Sequence, residues 1–131
     1  MEKLTLIKAA IESRKNAYAP YSGFSVGAAI LCQNGQIYTG CNVENSAYGE
    51  TLCAERVAFG KAISEGERSF VAIAIVGGKD SVDTPCMPCG SCRQVMAELC
   101  KKDFKIILKN GDGVAQYTLS ELLPHAFGIE V

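Results

Sequence analysis

The chain has no tryptophan, a single histidine and only four prolines in 131 residues. It also lacks a long apolar run. Its most apolar stretch, Phe70 to Val76, falls far short of the roughly 20 residues that a membrane-spanning helix needs. The opening residues, Met1-Glu2-Lys3-Leu4-Thr5, offer neither the basic segment nor the long apolar segment of a secretory leader. These absences give the expectation of a cytoplasmic protein with no membrane partner. An excess of one charge is missing too: the formal net charge is −1 and the pI about 5.8. Phosphate contacts supply most non-specific affinity for nucleic acids, so binders usually carry a basic face. Here the basic residues are scattered, and a small-molecule substrate is expected instead of a nucleic acid.

What remains is an ordinary globular composition, 48% hydrophobic and 21% charged, long enough for one domain over residues 1–131. The unusual feature is seven cysteines. A disulfide framework fits poorly with an odd count in a reducing compartment, where closely spaced cysteines more often bind metal or do chemistry. Cys32, Cys41 and Cys100 stand singly in apolar surroundings and read as small core residues. Four cysteines are left to explain.

The patterning predicts α-β-β-α-β-α-β-β-α. An amphipathic helix runs to about Tyr18, with Leu4, Ile7, Ile11 and Tyr18 along one face. Val26 to Cys32 and Ile37 to Val43 form a hairpin, joined through Asn34-Gly35 as a type I′ turn with both central residues at positive φ. Leu52 to Glu65 is a helix closed by Gly66, Phe70 to Val76 a strand buried on both faces, and Gly90 to Lys101 a helix. Lys105 to Leu108 and Val114 to Thr118 pair around Asn110-Gly111-Asp112-Gly113, and Ser120 caps a short last helix ended by Pro124. Alternation of strands and helices implies a mixed sheet covered by helices.

Two segments carry chemistry, Cys53-Ala54-Glu55 and Pro88-Cys89-Gly90-Ser91-Cys92. Cys-x-x-Cys at a helix start aims both sulfurs at one point, and Cys53 brings a third from another helix start. Three thiolates hold Zn²⁺ and leave its fourth tetrahedral position open, the mark of a catalytic site. Helix N-termini carry partial positive charge that favours the thiolates. Glu55, two residues past the first ligand, is placed to move protons between water and a leaving group. Zinc deaminases carry the pattern His-x-Glu…Pro-Cys-x-x-Cys, or the same with a third cysteine, and this chain has Cys53 in the histidine position. Arg56 either donates hydrogen bonds to the ligand sulfurs or stands as an exposed helix arginine; the sequence alone does not choose. Cys86 extends the spacing to Cys86-x-x-Cys89-x-x-Cys92, but an iron–sulfur run fails at Met96. A closed four-cysteine zinc site would leave Glu55 without a role, so Cys86 reads as a loop cysteine near the metal.

Beyond these motifs the chain resembles the short cytidine deaminases of nucleoside salvage. The likeness runs through Ala19-Pro20-Tyr21-Ser22 with Phe24, Val26-Gly27-Ala28-Ala29 and Gly40-Cys41-Asn42-Val43-Glu44-Asn45. It continues through Cys53-Ala54-Glu55-Arg56, Pro88 to Gln94, and Leu122-Leu123-Pro124-His125-Ala126-Phe127. The resemblance implies a three-layer α-β-α fold with a five-stranded mixed sheet, one Zn²⁺ per subunit, and a homotetramer with sites shared between subunits. It implies that Asn42 and Glu44 hold the ribose 3′-hydroxyl and that Phe24 packs against the nucleoside. Val43 and Ala54 complete the substrate-binding set, while Tyr48 and Phe127 reach a neighbouring subunit's site. The departures are Ser91 for a common alanine, His125 for a small residue, and the extra Cys86. Rival expectations are a deaminase of a nucleoside antibiotic or a nucleotide, a polynucleotide deaminase, and a non-catalytic zinc module.

Overall fold

The computed structural model describes residues 2–129. In chain order the elements are α1 (Glu2–Arg14), β1 (Ser25–Cys32), β2 (Ile37–Cys41), a 3-10 turn (Tyr48–Glu50) and α2 (Ala54–Ser64). They continue with β3 (Phe70–Gly78), α3 (Gly90–Leu99), β4 (Lys105–Asn110), β5 (Gly113–Thr118) and α4 (Leu119–Leu122). The strands form one sheet in the order β2-β1-β3-β4-β5. Only β3 and β4 run parallel; the other neighbours are antiparallel. This is the mixed five-stranded α/β sheet that the sequence led us to expect.

Side chains alternate across the sheet, and the two faces are built differently. Ala29, Ala72, Ala74, Val76 and Ile107 receive Leu6, Ile7 and Ala10 of α1. Ala28, Ile30, Ile73, Ile75, Ile106 and Leu108 face Ala54, Ala58 and Phe59 of α2 and Met96 of α3. Small residues on the first face let α1 lie close: a Cβ at Gly27 would fall 2.0 Å from the carbonyl oxygen of Ala10. On the other side a Cβ at Gly40 would fall 2.4 Å from the carbonyl oxygen of Ala54. Gly40 therefore seats the first turn of α2 directly on the sheet.

Several boundaries depart from the sequence reading. Helix α1 ends at Arg14 because Tyr18 is taken into a bridge, its N–H donating to Asn42 O at 2.9 Å and its carbonyl accepting from Glu44 N at 2.8 Å. Its buried face is Leu6, Ile7 and Ala10, while Leu4 and Tyr18 are exposed. The β1–β2 turn is not type I′. Within this turn Gly35 has positive φ and Asn34 does not, with Gly35 N donating to Cys32 O and Cys32 N to Gln36 O. That is the three-residue loop in which a turn is followed by a left-handed glycine. The cap of α4 is Thr118, not Ser120: its hydroxyl accepts from Glu121 N and the Glu121 carboxylate accepts from Thr118 N. Gly66 does follow α2 at φ 96°, its N–H donating to Ile63 O.

Candidate metal centre

Helices α2 and α3 both start on a cysteine. Cys53 and Cys89 are N-cap residues with extended backbones and no side-chain cap bond. A serine there would turn its oxygen back to the helix N–H groups; a cysteine leaves its sulfur free to face across the gap. Cys89 Sγ lies 4.0 Å from Cys53 Sγ and 3.5 Å from Cys92 Sγ, and all three fall within 4.8 Å of one another. Thiolates about 2.3 Å from a tetrahedral zinc stand about 3.8 Å apart, so the donor set fits zinc both in chemistry and in spacing. Among the described residues Cys86 is not part of this group.

Cys53 is the natural thiolate of the trio. A hydrogen bond from the Cys92 thiol, followed by the Arg56 guanidinium, holds it down to about 5 against the opposing effect of burial. The same bond pushes the Cys92 thiol up, with burial adding to it. Arg56 Nη2 donates to Cys53 Sγ at 3.3 Å and to Thr51 O at 3.3 Å. Its Nε is buried with no partner among the described residues. A positive charge here offsets the net negative charge that three thiolates leave on a divalent ion.

Glu55 sits in the first turn of α2 and is only 5% exposed. Burial pushes its carboxyl up, which favours a group able to hold a proton as well as release one. A hollow of about 230 Å³ opens over it. Cys53, Glu55 and Cys89 line it together with Phe24, Asn42 and Thr51, and Val26, Ala54, Cys86 and Met87 complete the lining. Two larger hollows, of about 340 and 450 Å³, lie elsewhere and gather neither the thiol trio nor a buried carboxylate.

The remaining expected residues are placed unevenly. Asn42 is buried, its Oδ1 accepting from Val26 N at 2.9 Å and its Nδ2 donating to Phe24 O at 2.8 Å. It thus pins the strand that presents Phe24 to the hollow. Glu44 and Tyr48 lie in an adjoining depression with Tyr21 and Ser22, and Thr51 lines both. The Glu44 carboxylate accepts from Tyr21 N at 3.0 Å and Ser22 N at 3.1 Å, and from the Ser22 hydroxyl. These bonds, the hydroxyl first, hold its pKa below the usual range. Val43 is exposed and bridges Tyr18 and Leu52 through its backbone, outside the lining of the hollow. Phe127 is 71% exposed and borders a different hollow. Sequence reasoning missed Thr51, Met87 and above all Gly77. A Cβ at 77 would stand 2.7 Å from Cys86 Sγ and 3.0 Å from the Phe24 ring, so a glycine there leaves room for two side chains that line the hollow. The signal was the Gly77-Gly78 pair closing an apolar strand.

Comparison with known proteins agrees with this geometry. Residues 1–108 match the family described as cytidine and deoxycytidylate deaminase zinc-binding region. The cytidine deaminase of Halalkalibacterium halodurans is 53% identical over 131 residues, covering 99% of this chain and 97% of that protein. The crystal structure of cytidine deaminase from Burkholderia pseudomallei superposes with a TM-score of 0.88 at 47% identity, covering 97% of this chain and 100% of the other. More distantly, a blasticidin-S deaminase from Bacillus cereus is 32% identical over 128 residues, covering 94% and 90%.

Proposed function

The chain belongs to the cytidine and deoxycytidylate deaminase family, and we propose that it hydrolyses cytidine, and 2′-deoxycytidine with it, to uridine or deoxyuridine and ammonia. The observation that carries this is one hollow bordered by two of three clustered thiols and by a buried carboxylate. Cys53, Cys89 and Cys92 hold one Zn²⁺ per subunit. Zinc so held would supply a Lewis acid that lowers the pKa of water toward neutral.

Every other role falls to the chain's own groups. Glu55 takes a proton from the attacking water and gives it to N3 of the ring as the C4–O bond forms. It then carries the second proton of that water to the 4-amino nitrogen. The C4–N bond breaks and ammonia leaves, so the two protons end on N3 and on ammonia. Arg56 steadies the thiolate of Cys53 throughout. Phe24 packs against the ring and Ala54 floors the pocket. Asn42 and Glu44 take the ribose hydroxyls, a polar set that penalises ligands lacking them. Tyr48 and Phe127, both exposed and outside the hollow of their own subunit, complete the site of a neighbour in a homotetramer. We place the enzyme in pyrimidine salvage in the cytoplasm, with residues 1–131 as one catalytic domain.

The test is an ultraviolet time course of zinc-loaded protein with cytidine, deoxycytidine, CMP and blasticidin S, with Glu55→Ala alongside. The nucleosides are expected to be converted and CMP left intact. Glu55→Ala should keep its zinc and lose about 10²- to 10⁴-fold in turnover. Turnover of blasticidin S without cytidine would replace the substrate assignment, and an active Glu55→Ala would remove the proton carrier.

A further inference from the structure

One side chain outside the assigned site touches both flanks of the Cys-x-x-Cys helix. Arg93 follows Cys92 directly, yet it does not turn toward the sulfurs. Its Nε donates to the carbonyl of Pro88 at 2.8 Å and its Nη1 to the carbonyl of Leu122 at 2.8 Å. Pro88 is fully buried and immediately precedes Cys89. Its carbonyl stands before the N-cap of α3, outside the intrahelical ladder. Leu122 is the last residue of α4, where carbonyls lack helical partners and are best met by a cationic donor. The next residue, Gln94, donates through Nε2 to Phe127 O at 2.9 Å. Two consecutive side chains of α3 thus hold the peptide before the first cysteine of the pair, the end of α4, and the segment beyond it.

We infer that Arg93 is a positioning residue that locks the Cys89 loop to the C-terminal segment, so that retention of the metal and order in residues 119–128 are coupled through its guanidinium. A planar fork can serve two carbonyls at fixed angles, and an ammonium cannot copy that geometry. With Arg93 gone, the Pro88 carbonyl loses its donor, the peptide that aims Cys89 loosens, and the sulfur leaves its place beside Cys92. The end of α4 frays at the same time. The consequence for substrate, through the Phe127 that this segment presents, rests on the function proposed above; the coupling itself does not.

Zinc-loaded wild type, Arg93→Met, Arg93→Lys and Gln94→Ala would be compared by two readouts that need no nucleoside. One is the rate of zinc transfer to a chromophoric chelator, and the other is hydrogen exchange in peptides covering 119–129. In both Arg93 variants we expect zinc release about 10- to 100-fold faster, the usual cost of removing a group that orients a ligand, together with faster exchange in the C-terminal segment. Gln94→Ala should quicken exchange there and leave zinc release unchanged. Should Arg93→Met fail to fold, Arg93→Lys supplies both readings. The inference is overturned if either readout stays at the wild-type value in the Arg93 variants, if lysine restores both, or if Gln94→Ala releases zinc as fast as they do. A wild type inert toward cytidine would sink the functional proposal and leave this measurement intact.

Discussion

The two helices that deliver the thiols start alike and are held in place by different means. Helix α2 is seated by backbone against backbone. Gly40 admits the Ala54 carbonyl so closely that no side chain fits between them, and Ala54, Glu55, Ala58 and Phe59 are all buried. Helix α3 buries only Cys92 and Met96. Its first residues, Cys89, Gly90 and Ser91, are exposed, and its entry is tied down by the hydrogen bonds of Arg93. The arginines differ too, for Arg56 on α2 reaches a sulfur as well as the Thr51 carbonyl, while Arg93 on α3 reaches the carbonyls of Pro88 and Leu122. Glu55, the proposed proton carrier, rides on the closely packed helix, where a misplacement of about 1 Å would be costly to the chemistry. The paired cysteines sit on the helix held by adjustable bonds, where ligand and loop can settle around an ion.

The sharpest way to break this comparison is to move the metal set by one cysteine. Cys89→Ala should abolish zinc binding, since two thiolates do not make a site of this kind. Cys86→Ala should retain the metal, because its sulfur sits against Gly77 and lies outside the trio. Metal content measured after gel filtration decides between them. Zinc kept by Cys89→Ala and lost by Cys86→Ala would shift the ligand set by three residues and make α3 a different helix from the one described.

A smaller effect separates backbone seating from side-chain tying. Gly40→Ala places a methyl 2.4 Å from one backbone atom of α2 and 2.6 Å from another. Rigid backbone cannot yield as a flexible side chain would, so the variant should lose about 3 kcal/mol or more of stability. At the start of α3 a Cβ on Gly90 meets nothing within 4 Å. Gly90→Ala should therefore stay within about 0.5 kcal/mol of wild type or gain slightly. Denaturant midpoints of the zinc-loaded proteins give both numbers. Equal losses would mean that α3 is seated as tightly as α2.

How far the sequence reached follows from how local each feature is. The thiol trio and Glu55 were legible because a ligand spacing and a helix start lie within a few residues. Gly66 was legible because one residue type meets the need for positive φ. The capping box of α4 was equally local, yet Ser120 drew attention from Thr118-x-x-Glu121. The end of α1 was not legible: the bridge from Tyr18 to Val43 spans two elements and overrides helical propensity. Val43, Glu44, Tyr48 and Phe127 show the same limit, since which of them face one hollow depends on how distant loops close. Arg93 is the extreme case. Its motif neighbours were plain, but its partner Leu122 is 29 residues away.

The far ends of the two helices give the mildest test. Helix α2 closes on left-handed Gly66, whereas α3 closes on Cys100, whose extended backbone donates to Met96 O at 2.8 Å. Burial pushes the Cys100 thiol up to about 12 from an ordinary 9.0. A raised folded-state pKa favours the native state fully below the unfolded value, and that advantage is lost as pH climbs from about 9 toward 12, because the unfolded thiol ionises first. Other buried thiols contribute in the same window, so the informative quantity is a difference between proteins. Unfolding free energies from urea titrations should fall further between pH 8 and pH 10.5 for wild type than for Cys100→Ala, by about 1 kcal/mol once partial solvent access is allowed for. Parallel losses in the two proteins would mean that the thiol titrates normally and that the end of α3 is open to water.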